Sequence, residues 1–300
     1  MRTDPAVFLR PATWAEALAA KAEHPAARPI MGGTDVMVEL NFDRPRPPAL
    51  LDLTAIPELA GWERTGGLIR LGAGVPYTRI ITELGDALPG LAGAARTVGS
   101  PQIRNRGTVG GNLGSASPAG DAHPPLLATG AAVEVASARG TREIPIGDFF
   151  TGPKRSALLP DELIRAVRVP AAAGPQQFAK VGTRNAMVIA VCSFALALRP
   201  ADRAAGTGIG SAGPVPLQAP EAEEFLAGEL DWTSPEALDE RVARRFGELV
   251  AAAARPIDDV RGHAAYRRHA LAVLARRTLT WAWDDYRRET AGAGDVDGQR

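Results

Sequence analysis

Two paired-glycine segments place the strongest constraint on how this chain can fold. The first reads Met31-Gly32-Gly33-Thr34-Asp35. The second reads Arg104-Asn105-Arg106-Gly107-Thr108-Val109-Gly110-Gly111-Asn112 and lies about 75 residues further on. Without a Cβ, such pairs can adopt positive φ and let a ligand approach the backbone closely. Their N–H groups can then form a concavity for anionic oxygens, and Thr34 and Thr108 add hydroxyl donors. Two cradles of this kind could grip both phosphates of a dinucleotide from opposite sides. The plain alternative is a pair of tight turns, which is the stronger reading for any single Gly-Gly. The second segment continues as Leu113-Gly114-Ser115-Ala116-Ser117-Pro118-Ala119-Gly120-Asp121-Ala122-His123-Pro124-Pro125, rich in small and hydroxyl side chains. Such a surface suits a flat ring or a ribose. Asp121 is placed to accept hydrogen bonds from a ribose or adenine side; it reads equally as a turn-initiating Asp.

The rest of the chain is ordinary α+β material. Thr13 followed by Glu16 has the form of a capping box, with His24-Pro25 ending the helix. An amphipathic stretch spans 36–40. Strands are expected at 50–53 and 68–74, with Gly66-Gly67 as the turn before the second, and short helices at 78–84 and 90–98. The Gly/Ser/Pro-rich region 99–125 is too long to be a mere connector. A hairpin is predicted around Arg139-Gly140, and a strand at 163–169 ends at Pro170. Ala171-Ala172-Ala173-Gly174-Pro175 reads as a linker. This divides the chain into a first domain, 1–173, with subdomains about 1–55 and 56–173, and a second, 174–288. Within the second, strands are expected near 177–181 and 188–199, and helices at 221–226, 235–254 and 266–288. The polar, Gly-rich segment 289–300 is expected to be a disordered tail.

Several classes of function are excluded. One cysteine, Cys192, cannot make a disulfide framework, an iron–sulfur cluster or a structural zinc site within this chain. Set among Val191, Phe194 and Leu196, it reads as a small buried hydrophobe. The four histidines lack metal-ligand spacing. Lys+Arg and Asp+Glu balance at 34 each, so no overall field favours nucleic acid or a membrane surface. The start lacks the build of a signal peptide and no apolar run reaches spanning length, which points to a soluble, cytoplasmic protein. Gly208-Ile209-Gly210-Ser211-Ala212-Gly213 matches G-x-G-x-x-G, but Pro214-Val215-Pro216 follows at once, where a dinucleotide fingerprint must open a helix. It is rejected.

Taken together, Gly32-Gly33-Thr34-Asp35, Ile103-Arg104-Asn105, Gly107 through Asn112 and Ser117-Pro118-Ala119-Gly120-Asp121 resemble the medium, FAD-binding subunit of molybdenum hydroxylases. That family includes carbon monoxide dehydrogenase, xanthine dehydrogenase and related aldehyde and N-heterocycle hydroxylases. The resemblance continues through Phe149-Phe150-Thr151-Gly152, Pro160-Asp161-Glu162-Leu163-Ile164, Phe178-Ala179-Lys180 with Arg184, and Ile257-Asp258-Asp259-Val260-Arg261 with Tyr266-Arg267. It covers nearly the whole chain in order.

The resemblance implies an α+β, two-subdomain FAD domain of the vanillyl-alcohol-oxidase/p-cresol-methylhydroxylase type. A smaller C-terminal α+β domain like that of the carbon monoxide dehydrogenase flavoprotein would follow. It implies that Ile30, Met31, Gly32, Gly33, Thr34, Asp35 and Val36 form the first pyrophosphate loop, and Thr108, Gly110, Gly111 and Asn112 the second. Ser117 and Asp121 match adenosine-side contacts, whereas Ile164 and Lys180 match positions near the flavin ring and its polar edge. Ile189, before Ala190, matches a side chain over the isoalloxazine that is Tyr in carbon monoxide dehydrogenases and aliphatic in xanthine dehydrogenases. Together with Gly152-Pro153-Lys154-Arg155-Ser156-Ala157-Leu158 it points to the purine or heterocycle type, although Ile189 reads equally as core.

By the same resemblance the chain is an electron-transfer subunit with no catalytic base of its own. Electrons would come from the molybdenum cofactor of a large subunit through the [2Fe-2S] clusters of a small subunit. They would leave to NAD or another acceptor, in a dimer of heterotrimers. Lys180 would favour the anionic reduced flavin. The competing reading is a stand-alone flavin-dependent oxidase of small alcohols, which would need its own acid/base pair and a His or Cys to tether the flavin.

Overall fold

The computed structural model describes residues 7–42, 46–233 and 235–297. The chain begins with β1 (Val7–Leu9), α1 (Trp14–Glu23), β2 (Arg28–Ile30), α2 (Val36–Asn41) and β3 (Ala49–Asp52). The strands form a parallel sheet ordered β1-β3-β2. The predicted capping box starts α1: the Thr13 hydroxyl accepts from Glu16 N at 3.2 Å, and the Glu16 carboxylate accepts from Thr13 N at 3.3 Å. At its other end Lys21 is buried and donates to the carbonyls of Pro25 and Ala27, both at 2.8 Å. That tie bends the chain into β2, whose last residue, Ile30, delivers the first glycine pair.

A larger subdomain follows. It comprises β4 (Trp62–Thr65), β5 (Leu68–Gly72), α3 (Tyr77–Glu83), α4 (Pro89–Thr97), α5 (Pro101–Arg104), α6 (Val109–Ser115), α7 (His123–Thr129), β6 (Ala132–Ser137), β7 (Gly140–Pro145), α8 (Ile146–Phe149), β8 (Phe150–Gly152), β9 (Arg155–Ser156) and β10 (Leu163–Pro170). Five of the strands build an antiparallel sheet ordered β4-β5-β10-β6-β7. Its inner face buries Ile69, Leu71, Val133, Val135 and Val167. Its outer face carries a guanidinium–carboxylate ladder, with Arg70 gripping Glu134 through two nitrogens at 2.7 and 2.8 Å. The predicted hairpin forms around Arg139-Gly140, and the predicted turn at Gly66, which has φ +59°, closes a second hairpin with the unexpected strand β4.

The second domain is an antiparallel sheet of β11 (Gln176–Val181), β12 (Cys192–Arg199) and β13 (Ala204–Gly210). Helices α9 (Pro220–Glu229), α10 (Glu240–Ala253) and α11 (Ala264–Asp297) complete it. Strand β12 is buried on both faces, which explains its unbroken apolar run. One side is covered by α11, the other by α7 of the first domain. The rejected G-x-G match has its explanation here. A Cβ at Gly206 would sit 2.1 Å from the Ala128 carbonyl oxygen of α7, and one at Gly208 would sit 2.0 Å from that of Pro124. One helical turn and two strand residues have nearly the same length, so alternate glycines meet successive turns.

Four expectations need correction. Helix α11 runs to Asp297, so most of the segment expected as a disordered tail is helical; no proline interrupts it, and Thr290 Oγ1 donates to Tyr286 O at 2.9 Å. Helix α10 starts at Glu240 rather than Pro235, where the Asp239 side chain caps the Arg241 N–H. Strand β12 starts at Cys192 rather than residue 188, because 182–191 forms a flap closed at its root by Val191 N to Val181 O at 2.7 Å. The second glycine segment is the start of a helix and not a loop. Among the described residues no helix is long and apolar enough to cross a membrane.

Candidate functional site

A cleft of about 560 Å³ opens between the two subdomains of the first domain, with the flap of the second domain along one rim. Its floor is made where three glycine-containing turns meet. After β2, Gly32 lies so close to the second segment that a Cβ would be 2.0 Å from Arg106 O. Gly33 has φ +75°, the conformation for which a glycine was expected. Asp35 is the N-cap residue of α2 but makes no side-chain cap bond. Opposite, Thr108 caps α6 by accepting from Gly111 N at 2.9 Å. A Cβ on Gly110 would meet Ala73 Cβ and the Ala73 carbonyl oxygen, both at 2.5 Å. The end of β5, read from the sequence only as a strand terminus, thus presses against the second cradle. The Pro76–Thr108 bridge and Tyr77 N to Gly107 O at 3.0 Å stitch the two together.

The side walls come from further away in sequence. Ile164, at the start of β10, is buried and lines the cleft. Met187, Val188 and Ile189 line it from the flap. Ile189 is 54% exposed, so it stands on the rim and its reading as core is overturned. The flap root is fixed by Arg267 of α11, a buried guanidinium that donates to Val191 O at 3.0 Å and to the Asp259 carboxylate. That contact gives the Asp259 and Arg267 motif a structural role.

Behind the cleft wall Lys180, which does not itself line the cleft, donates from Nζ to Oδ2 of the lining residue Asp121 at 2.6 Å, and also to the carbonyls of Thr97 at 3.0 Å and Val188 at 3.2 Å. The two side chains are only 9% and 11% exposed. Burial pushes the Asp121 carboxyl upward, and the Lys180 ammonium opposes that shift. Asp121, matched to the adenosine side, and Lys180, matched to the polar edge of the flavin, are thus brought together in one pair.

All the other expected site residues line this cleft except Ser117. The Ser117 hydroxyl accepts from Ala119 N at 3.3 Å in a local turn beside the lining residue Ala119. Sequence reasoning missed Lys21, Arg28, Lys154 and Tyr77, which also line the cleft. Lys154 and Arg28 both reach Glu39 of α2, at 2.6 and 3.4 Å. A cation beside a glycine turn is a common surface pattern, and nothing in the sequence says that Lys154 closes on residue 39.

Three buried polar atoms in this cleft have no hydrogen-bond partner: Tyr77 OH, Asn112 Oδ1 and Asp121 Oδ1. Uncompensated buried polar groups are costly, and a polar ligand would relieve them. Backbone cradles for anionic oxygens, an apolar wall at Ile164 and a buried ionic pair fit the parts of FAD. Neither tether candidate lines the cleft. Cys192 lies in the core of the second domain, where burial pushes its thiol up to about 12. His123 is fully buried against Phe150, and burial pushes its imidazole down to about 4. Among the described residues no cluster of three or more His, Cys, Asp or Glu could hold a metal.

Comparison with known proteins agrees with this geometry. Residues 3–172 match the FAD binding domain in molybdopterin dehydrogenase, and residues 177–282 match the CO dehydrogenase flavoprotein C-terminal domain. The chain is 33% identical to the nicotine 6-hydroxylase medium subunit of Paenarthrobacter nicotinovorans, over 84% of this chain and 88% of that one. It is 29% identical to the xanthine dehydrogenase FAD-binding subunit of Escherichia coli O157:H7, over 93% and 96%. A crystal structure of Cu,Mo-CO dehydrogenase superposes with a TM-score of 0.86 at 28% identity, covering 95% of this chain and 100% of that one. The chain belongs to the family of FAD-binding flavoprotein subunits of molybdenum hydroxylases.

Proposed function

We propose that this chain is the electron-transfer subunit of a cytoplasmic molybdenum hydroxylase acting on a purine or other N-heterocycle. The reading rests first on the cleft, where two glycine turns meet backbone to backbone beside unpartnered polar atoms. Residues Ile30 through Val36 and Thr108 through Asn112 would hold the diphosphate of FAD. Ile164, Ile189 and the Asp121–Lys180 pair would border its ring systems. FAD supplies two-electron chemistry coupled to one-electron relays; the protein's part is to bind, orient and shield it. The glycine turns donate N–H groups, Ile164 and the flap exclude water, and the buried pair sets the local field.

The first domain (1–173) is proposed to be of the vanillyl-alcohol-oxidase/p-cresol-methylhydroxylase type. Its partners would be a large molybdenum-cofactor subunit and a small [2Fe-2S] subunit in a dimer of heterotrimers, with NAD or another oxidant as acceptor. The heterocycle class is favoured by the aliphatic Ile189 and by the nicotine and xanthine enzymes among the relatives.

Purification of the chain alone is the direct test. The expected product is yellow, releases its flavin in acid and turns over no substrate until the partner chains are added. Turnover by the chain alone, or flavin that stays bound after acid precipitation, would reject the reading in favour of a stand-alone oxidase.

A further inference from the structure

Tyr77 lines the cleft and belongs to neither glycine cradle. It follows Pro76 at the start of α3, and its backbone is fastened to the second cradle by Tyr77 N to Gly107 O at 3.0 Å. Its ring lies along Gly107, where a Cβ would be 3.4 Å from Tyr77 Cδ2. The residue is 3% exposed, lines the cleft, and its hydroxyl has no partner. A tyrosine kept only for packing would give up that hydroxyl at no loss, since an unpaired buried O–H is destabilising.

We propose that Tyr77 is a diphosphate ligand, its phenol O–H donating to an oxygen of the dinucleotide bridge held between Gly32 and Gly110. The proposal rests on the FAD reading of the cleft. The ring lies against Gly107, which stands between Arg106, the residue whose carbonyl oxygen Gly32 abuts, and Thr108, the cap of α6. The other unpartnered atoms in the cleft, Asn112 Oδ1 and Asp121 Oδ1, are acceptors and cannot serve an anion. Asp35 and Asp121 are the charges that act on the phenol, and both of them, after burial itself, push its proton affinity upward. Tyr77 therefore stays a neutral, protonated donor at every working pH. Such a donor can bind an anionic oxygen beside two carboxylates without becoming a phenolate that repels it.

The test is Tyr77→Phe in the full chain, freed of flavin, titrated with FAD, ADP and riboflavin. A bond to a charged oxygen predicts that FAD and ADP each bind at least about tenfold more weakly than to the wild type. Riboflavin, which lacks phosphates, is expected to bind unchanged. The unliganded variant should melt at or above the wild type, because an unsatisfied hydroxyl has been removed; this also shows that it folds. FAD affinity unchanged within about twofold would overturn the proposal, and so would an equal loss for riboflavin. A wild-type chain that fails to bind FAD would overturn the FAD reading itself, an outcome distinct from either.

Discussion

The two glycine cradles face one another but are anchored in opposite ways. The second lies in the interior: Thr108, Val109 and Gly110 are buried, α6 is capped, and Asp121 and His123 follow on the same chain segment, with Lys180 of β11 paired to Asp121. The first leads into α2, a helix with no buried residue and no side-chain cap, on which Met37 and Val38 are about half exposed. Its side-chain ties to the rest of the cleft run through Glu39 to Arg28 and Lys154. The difference teaches that one half of the site is set by folding, while the other is left adjustable.

The comparison can be broken most severely at Lys180. Lys180→Ala leaves Asp121 buried without its cation and is expected to cost about 3–5 kcal/mol in urea unfolding. A loss below about 1 kcal/mol would mean that the interior half is not fixed as described. Acid should also act on that half. The folded-state imidazole of His123 sits at about 4 against an ordinary 6.5, so the unfolded chain takes up the proton first. Stability from this group is complete above 6.5 and falls as pH drops towards 4, by on the order of 3 kcal/mol. Asp121, shifted upward by burial, works in the other direction as it protonates. The comparison of interest is therefore wild type against His123→Phe, whose pH profile should be flatter between 6.5 and 4.

Smaller effects sharpen the contrast. Thr108→Ala removes the cap of α6 and should cost about 1 kcal/mol at any salt concentration. Lys154→Met cuts a half-exposed ion pair on the adjustable side. Its cost should stay below about 1 kcal/mol and shrink as salt is added. Salt-insensitive destabilisation by Lys154→Met equal to that of Thr108→Ala would erase the distinction between the two halves.

Most of the architecture was legible because its signals are local. The Thr13–Glu16 box, the Gly66 and Arg139-Gly140 turns and the Pro170 stop each depend on neighbours in sequence. The glycine segments could be singled out because the second runs on through small and hydroxyl residues from Leu113 to Pro125, whereas a lone Gly-Gly reads as a tight turn. What escaped is non-local. Tyr77 looks like a residue after a strand end until Gly107 folds back on it. Asp121 and Lys180 are 59 residues apart, and only the fold shows them to be a pair. The rejected Gly208 match illustrates the converse: the glycines were needed, but for a neighbouring helix and not a nucleotide. The helical run to Asp297 was missed because alanine and glycine were weighed as a loose tail rather than as a continuation of an established helix.

The bare contact between α7 and β13 has a consequence for how the coenzyme gets in and out. Carbonyl oxygens of Pro124 and Ala128 rest on the Cα atoms of Gly208 and Gly206 with no side chain between them, so there is no cushion along which the domains could slide. The large subdomain and the flap-bearing domain then move as one block, like a wall and its lintel. The coenzyme therefore meets a rim whose position is set by bare backbone contact, while the small N-terminal sheet joins the same frame through Trp14, Leu51 and Leu53 in the shared core.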